Sequence, residues 1–241
     1  VQAVTVTIKQ AAAEVEEPEP DEQVLPDGAY YIVANGNIAT PLSKAYGYIQ
    51  VTNGKANTEA NAFTFTYVAE QDAYTIQDSQ NNYYYQKGTY DSFNKDAALP
   101  ETGGYWSIEK VENTYKITNL AVSKFIQYDP AFTSYGSYTT EKGVLPELLT
   151  IDSVIPYTIV NTTSISVAAE VTSAEFTIEA NTPWTATASE GATLSATSGS
   201  ENATITVTFA ANETTESKTY TITVSSVNGD KVITVSQSAP V

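Results

Sequence analysis

One pattern of short strands recurs three times between Leu25 and Asp152. An opening strand is written YYIV (Tyr30–Val33), YTIQ (Tyr74–Gln77) and YKIT (Tyr115–Thr118), its copies starting 44 and then 41 residues apart. A second strand is read as YIQV (Tyr48–Val51), YYYQ (Tyr83–Gln86) and FIQY (Phe125–Tyr128). A closing strand appears as FTFTYV (Phe63–Val68) and YWSIEKV (Tyr105–Val111), with LPELLTI (Leu145–Ile151) as a looser third. A unit of this length, punctuated by Gly, Asn and Pro turns, cannot bury its apolar face alone, so the three must close on one another. No stretch carries helical periodicity. The pattern therefore predicts a β-trefoil.

From about Pro156 the texture changes: aromatics thin out and Thr/Ser/Ala alternation takes over. Seven strands are read here, ISVAAEV, AEFTIEA, WTATAS, ATLSATS, ATITVTFAA, KTYTITVSS and KVITVSQ. Ile205, Val207 and Phe209 fall on one face, as do Tyr220, Ile222 and Val224, and a period of two marks half-buried antiparallel strands. Seven such strands predict an immunoglobulin-like sandwich. At the other end, VTIKQAAA (Val6–Ala13) shares apolar–Thr–apolar–x–Gln–x–Ala with ITVSQSAP (Ile233–Pro240). Val1–Gln10 is accordingly read as the last strand of another module of the sandwich type. The predicted division is all-β: a terminal strand at 1–10, an acidic linker at 11–24, a β-trefoil-like domain at 25–152 and the sandwich at 156–241.

Composition closes off most chemistry. The chain has 28 acidic residues against 11 basic ones, all lysine, and no His, Cys or Arg, for a net charge of -17. Nucleic acid and polybasic lipid recognition are excluded by that charge. Without His or Cys there is no Ser–His or Cys–His nucleophile and no imidazole or thiolate metal site. No cofactor, metal or catalytic residue is expected, and no apolar run approaches the ~20 residues of a membrane helix. The loop carboxylates Asp78, Asp91, Asp96, Glu101, Asp129 and Glu141 form no acid–base pair in the sequence. The chain opens at Val1 with no signal-peptide pattern and is read as trimmed. Its Thr/Ser/Asn/Tyr-rich, acidic make-up suits an exported bacterial protein, at the cell surface or extracellular.

Two resemblances follow from particular motifs. ANTPWTATAS (Ala180–Ser189), GSENATITVTFAAN (Gly199–Asn212), KTYTITVSS and the closing ITVSQSAP resemble the BACON family, the Bacteroidetes-associated carbohydrate-binding module. That resemblance implies a multidomain, surface-associated bacterial protein working among glycans, with Trp184 as a packing residue. DGAYYIVAN (Asp27–Asn35) and YTIQDSQNNYYYQ (Tyr74–Gln86) resemble the openings of ricin-type trefoil lectins. The lectin aspartate positions hold Gln50, Tyr85 and Gln127 here, and its closing Gln-x-Trp is matched only by Asn61 before Phe63 and Gly104 before Trp106. The scaffold transfers; the sugar-holding residues do not.

Setting YYYQKGTYDSF against FIQYDPAFTSY pairs Tyr90 with Phe132, Ser92 with Ser134 and Phe93 with Tyr135, 42 residues apart. Tyr84 and Ile126 are assigned to the core. Tyr90, Phe93, Phe132, Tyr135 and Tyr138 are the candidate glycan-binding residues, with Tyr46 and Tyr48 in reserve. A flat ring presents its face to the C–H side of a pyranose, though packing is the commoner role for such rings. The expected function is a non-enzymatic carbohydrate-binding or adhesion protein whose partners are glycans or mucin-type glycoproteins. The alternative is a structural spacer in a larger surface protein or glycan-degrading enzyme.

Overall fold

The computed structural model describes residues 23–240; the expected strand Val1–Gln10 and the acidic stretch up to residue 22 lie outside them. Strands dominate, and the helical pieces among the described residues are 3-10 turns of three residues. None is long and apolar enough to cross a membrane.

Each trefoil repeat supplies four strands. The first gives β1 (Gly28–Ala34), β2 (Asn37–Ser43), β3 (Ile49–Asn53) and β4 (Phe63–Val68). The second gives β5 (Ala73–Gln77), β6 (Tyr83–Tyr85), β7 (Asn94–Asp96) and β8 (Trp106–Val111). The third gives β9 (Thr114–Asn119), β10 (Phe125–Asp129), β11 (Ser134–Tyr138) and β12 (Glu147–Thr150). The outer strands of each repeat form a six-stranded barrel, through the pairs β1–β4, β4–β5, β5–β8, β8–β9 and β12–β1. The Tyr115 N–H, donating to the Pro146 carbonyl at 2.8 Å, closes the ring between the third repeat's opening strand and the approach to β12. The inner pairs β2–β3, β6–β7 and β10–β11 are hairpins that cap one end.

The core follows from the repeat. Tyr30, Ile32, Phe63, Phe65, Tyr74, Ile76, Trp106, Ile108 and Ile117 fill the barrel, and the cap adds Tyr84, Phe93, Ile126 and Tyr135. Rings meet edge-on, as with Phe63 and Tyr84 (centroids 5.3 Å apart, planes at 78°), the arrangement the aromatic quadrupole favours. Trp106 is fully buried and its indole N–H donates to the Tyr84 carbonyl at 3.0 Å. Tyr84 and Ile126 are core, as expected.

One alignment is corrected. Tyr48–Val51 does not correspond to Tyr83–Gln86 and Phe125–Tyr128: it falls on and just before the third strand of its repeat, whereas they occupy the second. The true second strand is β2, NIATPLS, which carries no aromatic and was unreadable by its chemistry. It follows β1 through Asn35-Gly36, both in the left-handed region (φ 50° and 70°), the conformation of a two-residue type I′ hairpin turn.

Nine further strands build the sandwich: β13 (Thr158–Val160), β14 (Ser164–Val167), β15 (Ser173–Ala180), β16 (Trp184–Ala188), β17 (Ala192–Leu194), β18 (Ser198–Gly199), β19 (Ala203–Phe209), β20 (Lys218–Ser226) and β21 (Lys231–Gln237). They form sheets ordered β13-β15-β19-β17 and β14-β21-β20-β16-β18. Ile205, Val207, Phe209, Tyr220, Ile222 and Val224 point into the space between, as their alternation required. Trp184 is buried there too, its N–H bonded to the Glu201 carbonyl at 3.0 Å.

The connection between the two domains is itself packed. Ile155 is buried against Tyr31, Val33 and Ile38 on the outer side of β1 and β2. Gly54 lies so close that a Cβ there would sit 2.5 Å from the Ile155 carbonyl oxygen. Asn228 of the sandwich donates to the Pro156 carbonyl at 3.1 Å, and Lys55 pairs with Glu179 across the junction.

Trp106→Ala is expected to destabilise the trefoil by about 3–5 kcal/mol, through the cavity it leaves. The exposed Leu42→Ser should stay within about 0.5 kcal/mol. Urea unfolding followed by circular dichroism checks both; equal effects would contradict the assigned core.

Candidate functional site

At the cap the three hairpin loops carry the same pattern. Their sequences, KAYGYI (Lys44–Ile49), GTYDSF (Gly88–Phe93) and PAFTSY (Pro130–Tyr135), align with Tyr46, Tyr90 and Phe132 in register. Tyr46 is 91% exposed, Tyr90 73% and Phe132 71%. Three residues further on, Ile49, Phe93 and Tyr135 are all buried in the core. Each loop thus turns one side chain inward as an anchor and presents one ring to solvent.

Of the residues singled out in the sequence, Tyr90 and Phe132 are surface rings. Phe93, Tyr135 and Tyr138 are corrected: they are buried and cannot offer a face to a ligand. Phe93 packs 6.1 Å, centroid to centroid, from Trp106. The Tyr135 hydroxyl donates to the Asn37 carbonyl at 2.8 Å, inside the barrel mouth. The Tyr138 hydroxyl donates to Asp129 Oδ2 at 3.3 Å under the ammonium of Lys142. Gln127, at a lectin aspartate position, is also buried, its amide tied to the backbone of Thr140, Lys142 and Gly143.

Tyr46 was a reserve candidate and becomes central. It occupies the left-handed region (φ 65°) in the 3-10 turn Ala45–Gly47, an uncommon state for a bulky side chain. The turn is held at both ends. The Lys44 N–H donates to the Tyr48 carbonyl at 2.7 Å, and the Gly47 carbonyl accepts from the Phe93 N–H at 3.0 Å. Gly47 has φ 83°, and a Cβ on it would meet the Phe93 carbonyl at 2.7 Å, so glycine is required there.

Lysines fasten the other two exposed rings. Lys44 Nζ donates to the carbonyls of Phe132 and Thr133 at 2.7 and 2.8 Å. Lys124 Nζ donates to the Tyr90 carbonyl at 2.7 Å and to Asp91 Oδ1 at 3.1 Å. In each case a cation from a different repeat holds the backbone beneath the ring. Gln86, almost wholly buried, completes the second loop by donating to the carbonyls of Tyr90 and Ser92.

Two cavities flank Tyr46. One of about 480 Å³ is lined by Lys44, Ala45, Tyr46, Tyr48, Phe132 and Ser134. The other, of about 330 Å³, is bounded by Tyr46, Gly47, Gln86, Tyr90 and Asn94 among others. Both are of a size that holds small ligands. Among the described residues no carboxylate lines either one. The loop carboxylates do other work: Asp78 is buried, accepting from the Gln80 and Asn82 N–H groups and from Lys95. Among the described residues no three Asp or Glu side chains are grouped as for a metal ion.

No family model and no curated protein matches this chain. Solved structures similar to it include a Bacteroides ovatus GH5 xyloglucanase in complex with a XXXG heptasaccharide, 25% identical over 35% of this chain at a TM-score of 0.33. The chain spans only 19% of that enzyme. SeviL bound to asialo-GM1 saccharide is 16% identical over 52% of this chain and 99% of its own, with a TM-score of 0.42. A Polyporus squamosus lectin, bound to a human-type influenza-binding epitope, is 15% identical over 52% of this chain and 49% of its own, with a TM-score of 0.43. None of these three scores reaches 0.5, so the geometry of the cap carries the functional argument.

The rings under the cap make a prediction that needs no ligand. Burial, above all, raises the phenol pKa of Tyr30, Tyr74, Tyr84, Tyr128, Tyr135 and Tyr138, and for Tyr138 the neighbouring Asp129 raises it further. Below pH 10 these phenols are neutral whether the chain is folded or not. Above it the unfolded chain ionises while the folded one holds its protons, so stability falls as pH climbs from about 10 through the folded pKa values. The share of tyrosinate absorbance that these six phenols contribute should therefore appear in a cooperative step well above pH 10, together with loss of near-ultraviolet circular dichroism. A smooth titration centred on pH 10 would contradict the buried phenols.

Proposed function

We propose that the trefoil cap binds carbohydrate without catalysing its cleavage, in the cavity framed by Tyr46, Tyr48 and Phe132. One observation carries this reading. Each repeat exposes an aromatic ring at the same loop position, and the folding chain anchors those loops from inside. Large exposed rings lose favourable burial, so three equivalent ones on a lysine-braced scaffold support a ligand surface over chance exposure. A ring face suits the C–H side of a sugar, and Ser134 and the Lys44 ammonium offer partners for its hydroxyls. The described residues of both linings bring rings, hydroxyls, amides and lysines, which suit binding, whereas glycoside cleavage uses a pair of carboxyl groups.

The chain is then a carbohydrate-binding segment of an exported bacterial surface protein, its sandwich a BACON-like module. The motif resemblance and the acidic, Thr/Ser/Asn/Tyr-rich composition support that placement. Affinity at one cap is modest and gains from repetition along a multidomain chain. The packed junction at Ile155 and Gly54 favours a second reading for the sandwich alone, as a spacer holding the trefoil at a fixed attitude.

Tyr46→Ala and Phe132→Ala should each weaken glycan binding about three- to tenfold, the value of one aromatic contact, and leave thermal stability unchanged. Tyr135→Ala should instead cost about 3–5 kcal/mol of stability, as a core truncation. A glycan array followed by titration of its best ligand checks both. Silence from a folded wild-type protein, or binding indifferent to Tyr46 and Phe132, would overturn the proposal.

A further inference from the structure

Among the described residues, the cavity between Tyr46, Tyr48 and Phe132 has one charged residue in its lining, Lys44. The salt bridges among the described residues engage Lys55, Lys95, Lys124 and Lys142, whose partners are Glu179, Asp78 and, for the last two, Asp91. Lys44 is different. Its two hydrogen bonds go to the neutral carbonyls of Phe132 and Thr133, and no described carboxylate lies within ion-pair distance. An ammonium has three N–H donors. Two are spent on the loop, which fixes the nitrogen against the cavity wall, and the third remains for a ligand.

In a chain of net charge -17, this cavity-lining cation has no described carboxylate within ion-pair distance. Neutral hydroxyls would satisfy its third donor but not its charge. An anionic oxygen satisfies both, and charge-assisted hydrogen bonds are shorter and roughly twice as strong as neutral ones. The largely ring-built wall lowers the local dielectric, which strengthens that pairing further. We propose that the cavity selects an acidic sugar residue, a carboxylated or sulfated ring stacked between the aromatic side chains with its anionic group on Lys44 Nζ. This deepens the carbohydrate-binding reading and depends on it.

The test is an array carrying uronic-acid, sialylated and sulfated saccharides, each beside its neutral counterpart (methyl ester or unsulfated parent), with the best pair then titrated in solution. Wild-type protein should prefer the acidic member roughly three- to tenfold, the scale of one partly exposed ion pair. Lys44→Gln keeps an N–H for the loop but removes the charge, and should abolish the preference while still binding the neutral member. Lys44→Arg keeps the charge and should retain the preference. Which acidic class responds distinguishes carboxylate from sulfate. Equal binding of acidic and neutral members, still weakened in Tyr46→Ala, would overturn the charge inference and leave the saccharide cavity standing. A preference that survives Lys44→Gln would overturn it too. No binding of any member by folded wild-type protein would overturn both.

Discussion

The cap depends on the way three hairpins lock together around their buried side chains. Tyr135 pairs with Ile49 across β11 and β3, the Phe93 N–H donates to the Gly47 carbonyl, and the Ser137 N–H donates to the Asp91 carbonyl. Each repeat is thereby bonded to both others, and the side chains of Ile49, Phe93 and Tyr135 are driven inward at the points of contact. Once that residue is fixed, the loop has little freedom left. The residue three places earlier has no room inside and must project outward. Exposure of Tyr46, Tyr90 and Phe132 is the other side of the burial of their partners.

Electrostatics reinforces the same geometry. The chain has few cations to place, and two of them sit beneath exposed rings with their ammonium groups on backbone carbonyls. Lys124 is largely buried and paired with Asp91, where its charge is neutralised and its role is to brace. Lys44 performs the same bracing with no described acid in ion-pair distance, and it does so at the wall of a cavity. A threefold scaffold has become chemically unequal at its surface through the choice of neighbours at equivalent places.

Much of this was legible along the chain. Alternation in ATITVTF and KTYTITVSS assigns the faces of the sandwich correctly, because a strand's period of two is a local property. The recurrence of Tyr-x-Ile openings marks the three repeats for the same reason. The pairing of Tyr90 with Phe132, Ser92 with Ser134 and Phe93 with Tyr135 is matched in burial, position by position. The first repeat was misread because NIATPLS contributes Ala39 to the core where its counterparts contribute large side chains. With that strand overlooked, YIQV was placed one strand too early and Tyr46 lost its equivalence to Tyr90 and Phe132. The loop register alone, KAYGYI against GTYDSF and PAFTSY, contained the missing signal.

By itself the sequence determined an all-β chain, a threefold domain before a sandwich, and a set of paired aromatics without the residues for nucleophilic or imidazole chemistry. Only the tertiary structure decided which ring of each pair faces water, that Tyr46 divides two cavities, and that Lys44 stands at one of them with no described acid in ion-pair distance. Strand pattern depends on neighbours two residues away, which any reading of the chain can see. The fate of a loop ring depends on hydrogen bonds closed between residues 40 to 90 positions apart, such as Phe93 with Gly47 and Lys44 with Phe132. Those exist only when the barrel has shut.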